Sequence, residues 1–255
     1  MAIPADLRTM TDGPSPPVAL VIALALAVGG LVVSTITGLV GTVGGALAGA
    51  GTNPDAAVPV LVGVVLVTSE AGFLLVGYAF RQTEDGGDLV IDWIARHGPS
   101  VRDAALIAVA TAGLAAFNRL AFAVGSLFGV DPTTAVSAPE ELTAAVLVFV
   151  IPAMLFAVGP AEEYLFRGVI QGYLRESFSA RGAVGWSSVL FTLVHLPNLV
   201  ATPESAVVSV PVWLVIGLVL GWLYERTGAL LVPVAVHGLY NTIVIWLLFA
   251  EWGLL

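Results

Sequence analysis

Glu162 and Glu163 stand side by side in a strongly apolar stretch of the chain, with Arg167 four residues after the second of them. Two later segments carry the remaining polar groups of interest. His195 closes Phe191-Thr192-Leu193-Val194-His195, and His237 opens His237-Gly238-Leu239-Tyr240-Asn241. Charges at membrane depth are costly and mark either pairing or function. On a helix, Glu163 and Arg167 are four apart with the acid first, the favourable order for an ion pair. Glu162 is then turned by about 100° onto another face. One carboxylate is thus tied to arginine while its neighbour stays free. His237 and Asn241 are also four apart and share a helix face.

These residue types fit hydrolysis of an amide. A carboxylate taken out of water holds its proton more tightly, which suits proton transfer near neutral pH. A histidine can share a water with it. A second histidine and an asparagine amide can donate to a developing oxyanion. The catalytic candidates are therefore Glu162, Glu163, Arg167, His195, His237 and Asn241. Glu162, His195 and His237 also match the two-histidine, one-glutamate zinc set of hydrolases. The HExxH signature is absent, so the spacing alone does not establish Zn2+, and no cofactor is assigned.

The elements that must position these groups are membrane spans. The chain is 58% hydrophobic and 11% charged, against about 25% charged residues in soluble domains. Its mean hydropathy is +0.99. It has no cysteine, which excludes disulfides and thiolate chemistry. All nine cationic side chains are arginine and the net charge is −9, which argues against a nucleic-acid partner. Acidic loops without lysine suit a salt-rich cytoplasm, and GC-rich coding bias accounts for the arginines equally well.

The pattern predicts an all-α polytopic bundle. A polar tail, 1–17, precedes a single transmembrane domain, 18–255. Spans are expected at 18–40, 58–80, 103–128, 142–175, 183–199, 207–224 and 229–250. That makes seven, or eight if one is broken in two. The first run is too long for a signal peptide and reads as a retained span. Gly41, Gly45 and Gly49 fit either close helix packing or a loop. Leu89 to Ile94, apolar among acids, predicts a short interfacial helix, with His97 in the loop beyond it. The fourth span is expected to kink at Pro152 or Gly159-Pro160. Glu70 and Arg119 lie inside spans, and Arg119 is expected to face inward and pair with Glu70, Glu162 or Glu163. Seven spans place every other arginine on one side, opposite Asp55, Asp131, Glu140, Glu141, Glu204 and Glu251. By the positive-inside rule the arginine side, with the N-terminus, is cytoplasmic. On this map His195 lies about 12 residues, or roughly 18 Å, into its span, and His237 about 8 residues, or roughly 12 Å.

Glu162-Glu163-x-x-x-Arg167, Phe191-x-x-x-His195 and His237-x-x-x-Asn241, in this order on separate spans, resemble the three motifs of the CPBP intramembrane proteases. That family contains the CAAX-processing and bacteriocin-processing (ABI) endopeptidases. The likeness covers about 142–250; residues 1–141 resemble only membrane spans. It implies an intramembrane endopeptidase in the cell membrane, its site opening to the cytosol from a conical cavity. Carried over residue by residue, Glu162 would activate water with His195, and His237 and Asn241 would stabilise the oxyanion. Glu163 and Arg167 would shape the site. The family is labelled metalloprotease, yet a metal-independent glutamate mechanism is also proposed for it. The implied partners are the bilayer and a membrane-associated protein or peptide substrate. Eukaryotic members cut prenylated C-termini after the modified cysteine, whereas this chain's features look prokaryotic. Two other classes compete: a non-proteolytic scaffold or immunity protein of the same fold, and a proton-coupled transporter. Against the transporter, the chain shows no inverted repeat and no paired broken spans.

The lack of cysteine makes the orientation directly testable. Single cysteines replacing Asp85 and Ser179 are expected to react with an impermeant thiol reagent only from the cytoplasmic side. Those replacing Asp131 and Glu204 should react only from outside, and any exchange between the two sets refutes the map.

Overall fold

The computed structural model describes residues 13–49, 54–94, 98, 100–130, 143–200 and 202–255. Residues 1–12 of the tail, His97, Asp131 and the Glu140-Glu141 pair lie outside them. The described regular structure is helical throughout. We label the long helices α1 (Pro16–Gly49), α2 (Pro54–Phe80), α3 (Val101–Leu127), α4 (Ala144–Leu174), α5 (Ala180–His195), α6 (Ala206–Thr227) and α7 (Leu231–Glu251).

Six of these, all but α5, are long and apolar enough to cross a membrane. The chain is therefore a multi-pass membrane protein. The expected fifth span, 183–199, is α5 plus a 3-10 turn over Leu196–Leu199. Its α-helical part has 16 residues, short of the roughly 20 that span a bilayer. Pro197 accounts for the break, because its ring nitrogen cannot continue the hydrogen-bond ladder.

The ends of the helices sort as the arginines did. The Ser177 hydroxyl donates to the Pro14 carbonyl. Arg175 pairs with Glu225 at 3.4 Å. The backbone N–H groups of Leu230 and Leu231 donate to the carbonyls of Asp92 and Trp93 at 2.9 and 3.0 Å. The tail, the stretch after α2, the α4–α5 turn and the α6–α7 turn thus meet at one end of the bundle. Leu89 to Ile94 is not the interfacial helix its pattern suggested. The helical turn there is Glu84–Gly87, with Thr83 as its N-cap. The residues after it run as an irregular strap whose carbonyls satisfy the first N–H groups of α7, which no helix can satisfy internally.

α4 lies at the centre. Every residue from Ala161 to Gln171 is buried, so the helix is enclosed on all sides rather than on one stripe. It bends through two π-helical stretches, Met154–Val158 and Tyr164–Gln171. The Gly159 N–H reaches five residues back to the Met154 carbonyl. This wider turn ends just before Pro160, which has no N–H to give. π-turns of this kind re-aim side chains and collect at functional sites.

α1 packs along α2 through small residues. The glycine run after the first expected span continues the helix as far as Gly49 rather than forming a loop. The closest approach is at Gly72, where a Cβ would lie 2.3 Å from the Ser34 nitrogen and 2.4 Å from its Cα. Backbone cannot step aside as a side-chain tip can. Gly72→Ala should therefore lower stability in detergent by about 1–3 kcal/mol, read as a lower thermal midpoint. Gly113→Ala, which meets nothing within 4 Å, should leave the midpoint unchanged or slightly raised.

Candidate active site

The three motif segments meet at mid-bundle. α4 supplies Glu162, Glu163 and Arg167, α5 supplies Phe191 and His195, and α7 supplies His237. Glu163 and Arg167 are sealed from solvent. A single oxygen of Glu163, Oε1, accepts from Arg167 Nη1 at 2.7 Å and from His237 Nδ1 at 2.8 Å. Arg167 continues through Nη2 to the Gly217 carbonyl of α6 at 3.2 Å. Its guanidinium carbon sits 4.7 Å above the Phe191 ring, a cation–π contact that suits a desolvated arginine.

These contacts set the histidine tautomers. Carboxylates and carbonyls only accept, so His237 carries its proton on Nδ1 toward Glu163. His195 Nδ1 lies 2.7 Å from the Phe191 carbonyl and must donate to it likewise. In both neutral rings Nε2 is left with a lone pair. Both Nε2 atoms lie 3.8 Å from Glu162 Oε2. That is too long for a direct hydrogen bond and short enough for a water to bridge Glu162 to either ring. Glu162 Oε2 is itself buried with no hydrogen-bond partner among the described residues. His195 is packed between Phe191, with ring centroids 4.5 Å apart, and Trp213 of α6, at 5.4 Å.

Five of the six expected residues are thereby in one place. Asn241, one turn beyond His237 on α7, is half-buried, and its amide makes no hydrogen bond within the described residues. Arg119 corrects the expectation most clearly. It pairs with Glu251 at the far end of α7, and its side chain is 56% exposed. The buried polar partner from α3 is its neighbour Asn118, which donates to the Tyr240 hydroxyl at 2.8 Å. Glu70 is buried and close enough to Glu162 for their charges to interact.

Sequence reasoning missed Gln171 and Trp213. Gln171 is fully buried and donates to the Gly221 carbonyl at 3.2 Å and to Glu225 at 3.0 Å. It repeats, one turn on, the hold that Arg167 has on Gly217. The spacing 163, 167, 171 carried that signal. Trp213 had none, because a tryptophan in an apolar span looks like any lipid-facing ring.

Glu162, His195 and His237 are also the set considered for zinc. Among the described residues no three histidine, aspartate, glutamate or cysteine side chains are grouped so as to hold a metal ion.

Comparison with known proteins adds one finding. Residues 144–243 match the family described as type II CAAX prenyl endopeptidase Rce1-like. All six candidate residues fall inside that stretch. No curated protein and no solved structure matches the chain.

Removing Arg167 would leave Glu163 charged and buried beside His237 alone. Arg167→Ala should cost about 3–5 kcal/mol, as breaking a buried pair from one side does. Adding Glu163→Gln to that variant should recover part of the loss. Chemical unfolding of the single and double variants in detergent measures both, and purely additive losses would show that the two side chains are not coupled.

Proposed function

Residues 144–243 belong to the CAAX-protease family, and on that premise we propose that the chain is an intramembrane endopeptidase using glutamate-activated water. The observation that carries the reading is the equal 3.8 Å separation of Glu162 Oε2 from the Nε2 atoms of His195 and His237. A carboxylate oxygen with an imidazole acceptor 3.8 Å away on each of two sides and no donor calls for a molecule with protons to give, and water is the one that hydrolysis needs. As that water attacks the scissile carbonyl, Glu162 takes its proton. His195 holds the attacking oxygen through Nε2. Glu162 then returns the proton to the amine nitrogen as the C–N bond breaks.

The carbonyl oxygen gains charge in this step and requires donors. The Asn241 amide is uncommitted and one turn from His237. His237 lines the same site, its ring held through Nδ1 by Glu163, which Arg167 holds in turn. Glu163 and Arg167 are positioning residues in this scheme, because neither reaches the reacting atoms. The substrate is a membrane-associated protein or peptide, approached from the arginine-bearing end of the bundle. We assign that end to the cytoplasm. The family match favours proteolysis over a scaffold or a proton-coupled transporter.

Glu162→Gln and His195→Ala should each lower turnover of a membrane peptide by about 10²–10⁴-fold while the protein still inserts and unfolds cooperatively. Glu162→Gln protein that cleaves as fast as the parent would overturn the assignment. Turnover should also survive exhaustive chelation. An inactive metal-free preparation restored by zinc would replace the metal-free step.

A further inference from the structure

Glu70 is a buried carboxylate that the proposed hydrolysis leaves without a task. It lies on α2, outside the stretch 144–243 that matches the CAAX-protease family. Two glycines fix the way it faces. Gly63, Glu70 and Gly77 are seven residues apart, about two helical turns, and so share one face. A Cβ at Gly63 would lie 2.8 Å from the Phe149 side chain, and one at Gly77 would lie 2.7 Å from the Tyr164 ring. Both neighbours belong to α4, so this face of α2 is pressed against α4. The two helices run in the same direction, because 63 meets 149 and 77 meets 164. Glu70, midway between the glycines, therefore faces the part of α4 that leads into Glu162. It is close enough to Glu162 for two negative charges to repel.

Among the described residues Glu70 forms no ion pair. It is 8% exposed, and its Oε2 is sealed from solvent without a hydrogen-bond partner. Arg167 is spent on Glu163, and Arg119 on Glu251. Glu162 Oε2 is equally without a donor. The histidines do not supply one, since His195 and His237 direct their Nδ1 protons at Phe191 and Glu163. Two carboxylates confined together, away from water and without a cation, cannot both carry charge. One proton between them removes the repulsion and gives Glu162 a donor.

We infer that Glu70 is a positioning residue of the hydrolytic site: as a neutral carboxylic acid it directs its O–H, across one water, at the Glu162 carboxylate. A bridging water serves nearly as well as a direct hydrogen bond. Glu70 keeps its proton throughout. Glu162 alone takes a proton from the attacking water and returns it to the amine nitrogen, so the hydrolysis balances without Glu70 changing state. What Glu70 supplies is orientation of Glu162, and a neighbour that does not repel the charge Glu162 must carry before attack. Its effect on turnover rests on the proposed hydrolysis, whereas the proton on Glu70 can be read without cleavage.

The test is infrared spectroscopy of the full chain in detergent at neutral pH, which reads the carbonyl stretch of protonated carboxyl groups. The parent should show such a band, Glu70→Gln should lose it, and Glu162→Gln should shift it by changing what the acid faces. A spectrum in which Glu70→Gln loses no band overturns the inference, as does a Glu70 band that Glu162→Gln leaves unmoved. Turnover of a membrane peptide gives the second readout. Glu70→Leu should lower kcat by about 10–100-fold, the worth of a hydrogen bond to a charged group, with KM unchanged. Glu70→Gln, which keeps a donor and carries no charge, should retain most of the parent's kcat. Equal losses in Glu70→Gln and Glu70→Leu, or no loss in Glu70→Leu, overturn the positioning role. Failure of the proposed hydrolysis itself looks different: Glu162→Gln then cleaves as fast as the parent, while the infrared bands still report the proton on Glu70.

Discussion

The arrangement rests on one carboxylate oxygen shared by two donors. Glu163 Oε1 joins Arg167, one turn along α4, to His237 on α7. Such a charge has no water to fall back on, so each partner it keeps is hard to surrender. Buried ion pairs add little net stability, yet breaking one from one side is severe. The consequence here is geometric. His237 cannot turn its ring without stranding Glu163. Glu163 cannot move without releasing Arg167, which is also held by the Gly217 carbonyl and the Phe191 ring. Four helices, α4, α5, α6 and α7, are thereby locked to one polar node.

That node explains why α4 departs from α-helical geometry where it does. Its charged residues must be enclosed on every side, and enclosure demands close neighbours on all faces. Gly217 and Gly221 on α6 let α4 present Arg167 and Gln171 directly to backbone carbonyls. A Cβ at Gly217 would meet Ser188 of α5 at 2.9 Å, so the same small residue serves two contacts. In lipid such packing, rather than exclusion of water, drives helices together. Pro152 and Pro160 break the ladder above the motif, and the wider turns absorb the missing donors.

Much of this was legible in the sequence because it follows from period and composition. The 163–167 pair is an i, i+4 relation, and the sorting of arginines to one end is a count along the chain. The distribution of partners between helices was not legible. Nothing in the spacing of His237 says that its Nδ1 belongs to Glu163 and only its Nε2 to Glu162. Arg119 misled because hydropathy records where a Cα lies, whereas a long side chain can carry its charge about one turn away. Leu89 to Ile94 misled because an apolar and acidic alternation reads as an amphipathic helix. The chain spends it as a backbone cap for α7, a need that only the start of α7, well over a hundred residues later, creates. Pro197 was visible, but its effect on the length of α5 depends on where the helix begins.

The division of labour between the two adjacent glutamates then has a physical cause. Neighbours on a helix cannot face the same partners, and a π-helical stretch begins immediately after Glu163. Glu163 meets two donors and is held by both. Glu162 meets two imidazole nitrogens that, in their neutral forms, have only lone pairs to show it. A carboxylate facing acceptors alone is poorly satisfied, and the most economical remedy is a small molecule that donates in several directions. The same hydrogen bonds that immobilise the rings, Nδ1 to Glu163 in one and to Phe191 in the other, are what leave those lone pairs pointing at Glu162. Rigidity behind the site and unmet polarity in front of it therefore have a single origin. A substitution that merely loosened His237 or His195 would relieve the strain on Glu162 and remove the demand for water at the same stroke.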